Sequence, residues 1–307
     1  MENKIFITVL LASYNSSKTI YETLDSIMMQ KGPSLEVIVC DDGSEDFDGA
    51  AIREYVKKKR PQLELTLLHQ PQNIGTVRNL NAGLDLARGE WVMTLAADDC
   101  FAEADSITHL LQRAEKFGCR WVTAKTALCD EKLIQSGQSV PAEEIDRAIN
   151  EKNHKKLLFA LCKGCCLAAG GTIYQTQMLK EMGGFDEDYR LTEDWPLFIK
   201  LVRQGILPAV TEKEVVLHRS GGVSRKKAGK NFAYQKDLIT VLRKEVVPYL
   251  DTMDKDKKTH ISRVVKEKEL SFTFRFGCKN QFSRLVWSMR HPCFIVRKIF
   301  RKREKIC

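Results

Sequence analysis

Apolar residues in the first hundred positions fall into short continuous runs, separated by stretches with helical spacing. Residues 5–12 read as a buried strand, and 35–40, 63–68 and 91–95 as three further strands. Between them, Ser16-Ser17 can cap a helix running to about residue 30, and a second helix is expected over 50–59, broken by Pro61. Leu80, Leu84 and Ala87 fall at i, i+4 and i+7 on one face of a third, with Gly89 just beyond it as a C-cap. This alternation predicts βαβ units and a mostly parallel α/β sheet flanked by helices. Each strand runs into a polar loop. Ser13-Tyr14-Asn15, Asp41-Asp42 and Asp98-Asp99 should therefore converge on the carboxyl rim of the sheet, the edge where open α/β folds bind ligands.

Past Cys129 the pattern loosens. Residues 131–156 read as a polar, partly helical insertion, and 164–174 as a β-like run, followed by a short helix over 177–182. Gly183-Gly184-Phe185-Asp186 is turn chemistry. Thr192 is placed to cap a helix whose apolar side carries Trp195, Phe198, Ile199 and Val202. A strand over 215–217 enters the basic loop His218-Arg219-Ser220-Gly221-Gly222, and the chain from Asn231 onward looks helical.

The 307-residue chain is 43% hydrophobic and 29% charged, as expected of a folded soluble protein. No apolar run approaches the roughly 18 to 20 residues needed to span a bilayer. Residues 5–12 are a strand's length and not a signal peptide. Ten cysteines without regular spacing fit a reducing cytoplasm better than a disulfide scaffold. Cys162-x-x-Cys165-Cys166 lacks the second ligand pair of a zinc site, so these read as small buried thiols. Residues 42–48 have the alternating oxygen ligands of a calcium loop, but Phe47 occupies the position that needs glycine. The formal charge of +9 is local: residues 271–307 hold ten Lys and Arg against Glu304 alone.

Six segments in one order carry a resemblance: LLASYN at 10–15, DDGSED at 41–46, NIGTVRNLNAGLDLARGEW at 73–91, AADD at 96–99, GGFDE at 183–187 and TEDW at 192–195. Over roughly residues 5–225 the chain resembles the family-2 inverting glycosyltransferases of the GT-A fold, which build bacterial surface polysaccharides from nucleotide sugars. The resemblance implies nucleotide contacts at Ala12, Tyr14, Asp41, Asp42, Arg78 and Asp98, with Tyr14 stacking on the base and Asp41 accepting from it. It implies a divalent cation, Mn2+ or Mg2+, held by Asp98, Asp99 and His218, although Ala96 stands where the family's D-x-D signature begins. Asp194 resembles the general base, Glu193 its neighbour in catalysis or a capping acid, and Gly171, Thr172 and Trp195 fall where the acceptor binds. Residues 1–128 would then bind the donor, 129–225 would bind the acceptor and carry the base, and 226–307 would form a helical basic extension.

The donor would be a UDP-, dTDP- or GDP-sugar and the acceptor a glycan, in many cases lipid-linked. No Gln-x-x-Arg-Trp motif of the processive synthases is present, so one sugar per binding event is expected. A nucleotidyltransferase on a similar sheet is the first alternative, but it needs a Gly-rich triphosphate loop near the N-terminus, which residues 12–15 do not supply. A degenerate nucleotide-binding scaffold, marked by Ala96, is the second. In the tail, Phe272, Phe274, Phe276, Phe282, Trp287, Phe294 and Phe300 interleave with basic residues. That pattern suits an anionic membrane surface at the inner face of the cell membrane better than a nucleic acid.

Overall fold

The computed structural model describes residues 6–220, 231–278, 281–291 and 294. The chain divides into two compact units, Met1–Ala228 and Gly229–Cys307. In the first, β1 (Ile7–Ser13), α1 (Ile20–Met28), β2 (Leu35–Asp41), α2 (Gly49–Lys59), β3 (Glu64–His69), α3 (Thr76–Leu86) and β4 (Trp91–Ala96) follow the predicted alternation. Next come β5 (Cys100–Phe101), α4 (Ser106–Phe117), β6 (Trp121–Cys129), α5 (Glu143–Asn150), α6 (His154–Lys163), β7 (Ile173–Gln175), α7 (Thr176–Glu181), α8 (Asp194–Arg203) and β8 (Ala209–Arg219). All eight strands form one sheet in the order β3-β2-β1-β4-β7-β6-β8-β5. The first four are parallel neighbours, β7 runs antiparallel between β4 and β6, and β8 is parallel to β6.

Both faces of β1 and β2 are covered, which is why their sequences read as unbroken apolar runs. Ile7, Val9, Leu11, Val37 and Val39 pack with α1, α2 and α4 on one face. Leu10, Ile38 and Cys40 meet α3 on the other, where Gly83 sits so close that a Cβ there would lie 2.4 Å from Cys40 Sγ. Glu36, also buried, accepts from Thr8 Oγ1 at 2.7 Å, Arg88 N at 2.8 Å and Arg88 Nε at 2.9 Å. A charge in that position needs this many partners to offset its desolvation. Under the second half of the sheet Trp121 stacks on Phe198 at 5.3 Å, and Tyr174 meets Phe185 edge-on at 6.5 Å.

Several local expectations shift. Helix α1 begins at Ile20, not Ser16, because Ser16 O takes the N–H groups of Thr19 and Ile20 in a turn while Thr19 Oγ1 donates to Ala97 O at 2.7 Å. Gly89 is not the cap of α3. It is needed for close approach, since a Cβ there would lie 2.5 Å from the Thr8 nitrogen. Only Ile173–Gln175 of the β-like run is strand, and residues 164–172 fold as turns with Gly171 at φ +79°. Of its thiols Cys162 is buried in α6 while Cys165 is exposed. Thr192 does not cap α8: its hydroxyl is buried without a hydrogen-bond partner, and Glu193 takes the cap position.

The second unit is helical: α9 (Phe232–Val241), π- and 3-10-helical turns over Leu242–Val246 and Val247–Thr252, α10 (Lys255–Phe272), and α11 (Gln281–Arg290). Its aromatics pair with one another, Phe232 with Phe272 and Phe276, and Trp287 with Phe274 and Phe294. Gly221, Gly222, Lys279, Arg297, Lys298, Phe300 and residues 301–307, which carry much of the expected basic character, lie outside the described residues, as does the Phe282 side chain. Among the described residues no helix is long and apolar enough to cross a membrane.

Alanine at an interior helical glycine ordinarily stabilises by about 1 kcal/mol. Gly83→Ala should reverse that sign, lowering stability in urea by about 1–2 kcal/mol because the packed core must give way. Adding Cys40→Ala, which removes the obstructing sulfur, should recover part of the loss.

Candidate active site

The sheet register places the polar strand ends side by side. Ser13 pairs with Asp41, and Ala12 with Ala96, across strands spaced about 4.8 Å apart. Asp41 is fully buried, and both its oxygens are engaged. Oδ1 accepts from Ser13 Oγ at 3.0 Å and Ser44 Oγ at 2.7 Å, while Oδ2 accepts from Ser44 N at 2.9 Å and lies 2.8 Å from His69 Nδ1. Two carboxylate oxygens offer about four lone-pair sites, and all are filled. Asp41 thus holds the rim together instead of offering an open acceptor, and the group it presents outward is His69, stacked on Phe47 with centroids 4.9 Å apart. Tyr14, 51% exposed, stands at the tip of β1 beside a cavity of about 70 Å³ lined by Ser13, Ser16, Ser44 and Phe47. Ala12 is half-buried, and its carbonyl accepts from Ala97 N at 2.8 Å.

Asp42 faces α3 instead. Its oxygens accept from Ile74 N at 2.7 Å and Gly75 N at 3.0 Å, holding the loop that enters the helix. Burial nevertheless pushes its carboxyl up. Gly75, at φ +97°, leaves room for Arg190, whose guanidinium donates to Asn73 Oδ1 at 2.6 Å. Asn81 then clasps Phe185 through both backbone groups, at 2.8 and 2.9 Å. The polar residues of 73–83 therefore secure the segment leading to Asp194. Arg78, exposed, pairs with Glu187 at 3.3 Å, a surface contact worth about 0–1 kcal/mol.

At the other end of the rim the two adjacent acids differ. Asp99 is buried, with Oδ2 2.8 Å from His218 Nδ1 and Oδ1 accepting from Arg219 N at 2.9 Å. Arg219 Nε donates to Asp98 O at 2.9 Å, and its remaining nitrogens reach Glu131 O and Glu22. This ties β8 to the turn after β4. Asp98 is half-buried, and its carboxylate oxygens have no side-chain hydrogen-bond partner among the described residues. Desolvation first, then the charge of Asp99, pushes its pKa up. An under-coordinated acid beside a carboxylate-oriented histidine suits a hard divalent cation, with Asp99 standing behind His218. A separate cluster, Glu103, Asp105 and His109, has suitable ligand spacing, but Lys213 already occupies it, 2.5 Å from Glu103 and 3.8 Å from Asp105.

Asp194 opens α8. Its Oδ1 accepts from Trp195 N at 2.7 Å, and burial raises its pKa despite its place at a helix start. Glu193 precedes it without making a side-chain capping bond. The turns of 164–172 connect the two acidic centres: Cys165 Sγ lies 3.5 Å from Asp194 Oδ2, and a Cβ on Gly170 would lie 3.4 Å from Asp99 Oδ2. Five residues span at most ~18 Å, so one short loop reaches both acidic centres. Gly171, Thr172 and Trp195 differ from the expectation of acceptor contact, because all three are buried. Thr172 Oγ1 donates to Ala168 O at 2.5 Å, bracing the loop from within, and Trp195 Nε1 donates to Leu161 O at 2.8 Å, packing against α6. His69 and Arg190 went unread in the sequence, where a lone histidine carries no signal of what it will meet, and Cys165, expected as a small buried thiol, is instead exposed beside Asp194.

Residues 8–176, more than half the chain, match the family described as Glycosyl transferase family 2. Over 199 residues the chain is 36% identical to a poly-beta-1,6-N-acetyl-D-glucosamine synthase of Staphylococcus epidermidis, covering 64% of this chain and 45% of that protein. It is 32% identical over 114 residues to the succinoglycan biosynthesis protein ExoO of Rhizobium meliloti, which is 37% of this chain and 31% of the relative. An uncharacterized glycosyltransferase of Haemophilus influenzae is 22% identical over 200 residues, 64% of this chain and 62% of that one. The matches thus span from under a third to about three fifths of these relatives' lengths. Among solved structures, S. aureus TarS 1-349 in complex with UDP-GlcNAc aligns with a TM-score of 0.60 at 21% identity, over 90% of this chain and 75% of that one. The mannosyltransferase PcManGT from Pyrobaculum calidifontis, in complex with GDP-Man and Mn2+, aligns with a TM-score of 0.57 at 19% identity, over 94% and 75%. At these identities the likeness is one of fold, and the GT-A α/β architecture expected from the sequence is the one observed.

The adjacent acids should behave oppositely in stability measurements. Asp99→Ala removes the acceptor of the part-buried donors of His218 and Arg219 and should cost about 1–3 kcal/mol in urea unfolding. Asp98→Asn should leave stability unchanged or raise it at pH 7. A folded pKa above the unfolded value of about 3.9 means that ionising Asp98 costs stability as pH rises, so the benefit should vanish below about pH 4.

Proposed function

The chain belongs to glycosyl transferase family 2, and we propose that it moves one sugar, with inversion, from a nucleoside diphosphate sugar to a hydroxyl of a glycan acceptor. The carrying observation is the division of the strand-end acids. Asp41 and Asp99 are consumed in holding the rim, Asp98 is left with open oxygens, and Asp194 waits, desolvated, on the far side of the 164–172 loop. The names of the relatives, a succinoglycan biosynthesis protein and a poly-N-acetylglucosamine synthase, support bacterial surface polysaccharide as the product class. Solved proteins of the same fold hold UDP-GlcNAc and GDP-Man, which supports a nucleotide-sugar donor. On this reading residues 1–128 bind the donor, 129–225 receive the acceptor and supply the base, and 226–307 dock the enzyme.

At the donor end Tyr14 stacks on the base, with His69 and Ser44 held beside it by Asp41 and the Ala12 backbone lining the approach. A divalent ion, Mn2+ or Mg2+, would be held by Asp98 and His218, with Asp99 orienting the histidine, and would neutralise charge on the departing diphosphate. Asp194 takes the proton of the attacking hydroxyl on the face opposite the leaving group. Burial makes it a stronger base than a solvated aspartate by bringing its pKa nearer the working pH. Glu193 adds negative charge beside it. The basic segment 271–307 would bind the anionic inner face of the cell membrane, where each Lys or Arg contributes about 1 kcal/mol and where lipid-linked acceptors lie.

Proton NMR of the transfer product should show the anomeric configuration opposite to the donor's. Asp194→Asn should lower kcat by about 10²- to 10⁴-fold while leaving nucleotide affinity within a few-fold. Because the folded pKa of Asp194 is raised, its ionised form and the activity should be present at higher pH and lost as pH falls through that value. EDTA should abolish turnover and Mn2+ restore it. Retention of configuration, or an active Asp194→Asn enzyme, would refute the mechanism.

A further inference from the structure

Cys165 follows the last turn of α6, and its sulfur has two acceptors within reach: Asp194 Oδ2 at 3.5 Å and the Leu167 carbonyl at 3.4 Å. A thiol carries one proton and can satisfy one of them well at a time. The other carboxylate oxygen, Oδ1, is occupied by the Trp195 amide at 2.7 Å, so Oδ2 is the oxygen left to exchange a proton.

We propose that Cys165 is a positioning residue for Asp194, donating its S–H to Oδ2 while the carboxylate is ionised and turning to Leu167 O once Oδ2 is protonated. The inference rests on the reading of Asp194 as the base. The thiol proton stays on sulfur throughout, and the proton reaching Oδ2 comes from the attacking hydroxyl. The charge on Asp194 selects between the two acceptors, because a hydrogen bond to an ionised group is roughly twice as strong as one to a neutral carbonyl. The Cys165 donor therefore fixes the carboxylate plane before the transfer and releases it afterwards.

The other titratable groups nearby do not compete for this role. Tyr174 on β7 and Cys166 in the same loop are both pushed up by burial, Cys166 to about 12, and remain neutral. Glu193, at the cap position before α8, adds further negative charge. Desolvation at the sulfur, then the charge of Asp194, raises the Cys165 thiol well above its ordinary value, although the residue as a whole is exposed.

Peptide-resolved alkylation of the full chain by iodoacetamide at pH 8 tests the contact without any substrate. Asp194→Asn should speed modification of Cys165 by about three- to tenfold, since the thiolate is the reactive form and a one-unit fall in pKa is tenfold in its population. Cys166 should stay within twofold, and buried Cys40 should remain protected as the control for folding. In parallel, the urea stability lost by Cys165→Ala should be larger above the pH at which Asp194 ionises, as located by the activity profile, than below it, with Cys165→Ser retaining most of it. Equal Cys165 alkylation rates in wild type and Asp194→Asn, or a pH-independent loss in Cys165→Ala, would overturn the proposal. An active Asp194→Asn enzyme with faster Cys165 alkylation would remove the base assignment and leave the contact standing.

Discussion

Two buried carboxylates, Asp41 and Asp99, are the constraint on which the functional rim depends. Each ends or follows a parallel strand, each is removed from solvent, and each is neutralised by donors from other segments of the chain. A charge in such a place is tolerable only while every partner is present, so the partners are held as tightly as the acid. Ser44, His69, His218 and Arg219 owe their positions to this. The rim is rigid because its unexposed acids leave no freedom to its exposed residues.

That rigidity lets Asp98 and Asp194 remain destabilised. Both have raised pKa values from burial, and neither has a cationic side chain bonded to its carboxylate among the described residues. Such groups weaken the fold and are kept where their chemistry is needed. Asp42 and Asp99, more deeply buried than Asp98 and Asp194, are bonded through both carboxylate oxygens to backbone or side-chain donors. On the proposed reading, the adjacent Asp98 and Asp99 divide into chemistry and support.

The stretch 73–91 connects these roles. Asn79 ties α3 to β2 through the Cys40 carbonyl at 2.7 Å, Asn81 grips Phe185, and Gly75 admits Arg190. Its polar residues fasten the segment that leads to Asp194 onto the parallel half of the sheet. In the fold this stretch acts largely as a clamp, holding the segment that carries Phe185 and Arg190.

The strand–helix order, the parallel core and the convergence of Ser13, Asp41 and Asp98 on one edge were legible in the chain itself. They follow from local periodicity and from the rule that successive parallel strands point their carboxyl ends the same way. The end of α3, the turns at 164–172, the capping of α8 and the choice between Asp98 and Asp99 were not. Each depends on a partner far away in sequence: Thr8 for Gly89, Val216 for Gly171, His218 for Asp99, Cys165 for Asp194. Whether a carboxylate is open or engaged is set by which donors the folded chain brings to it. Residue type and spacing say only that an acid is there.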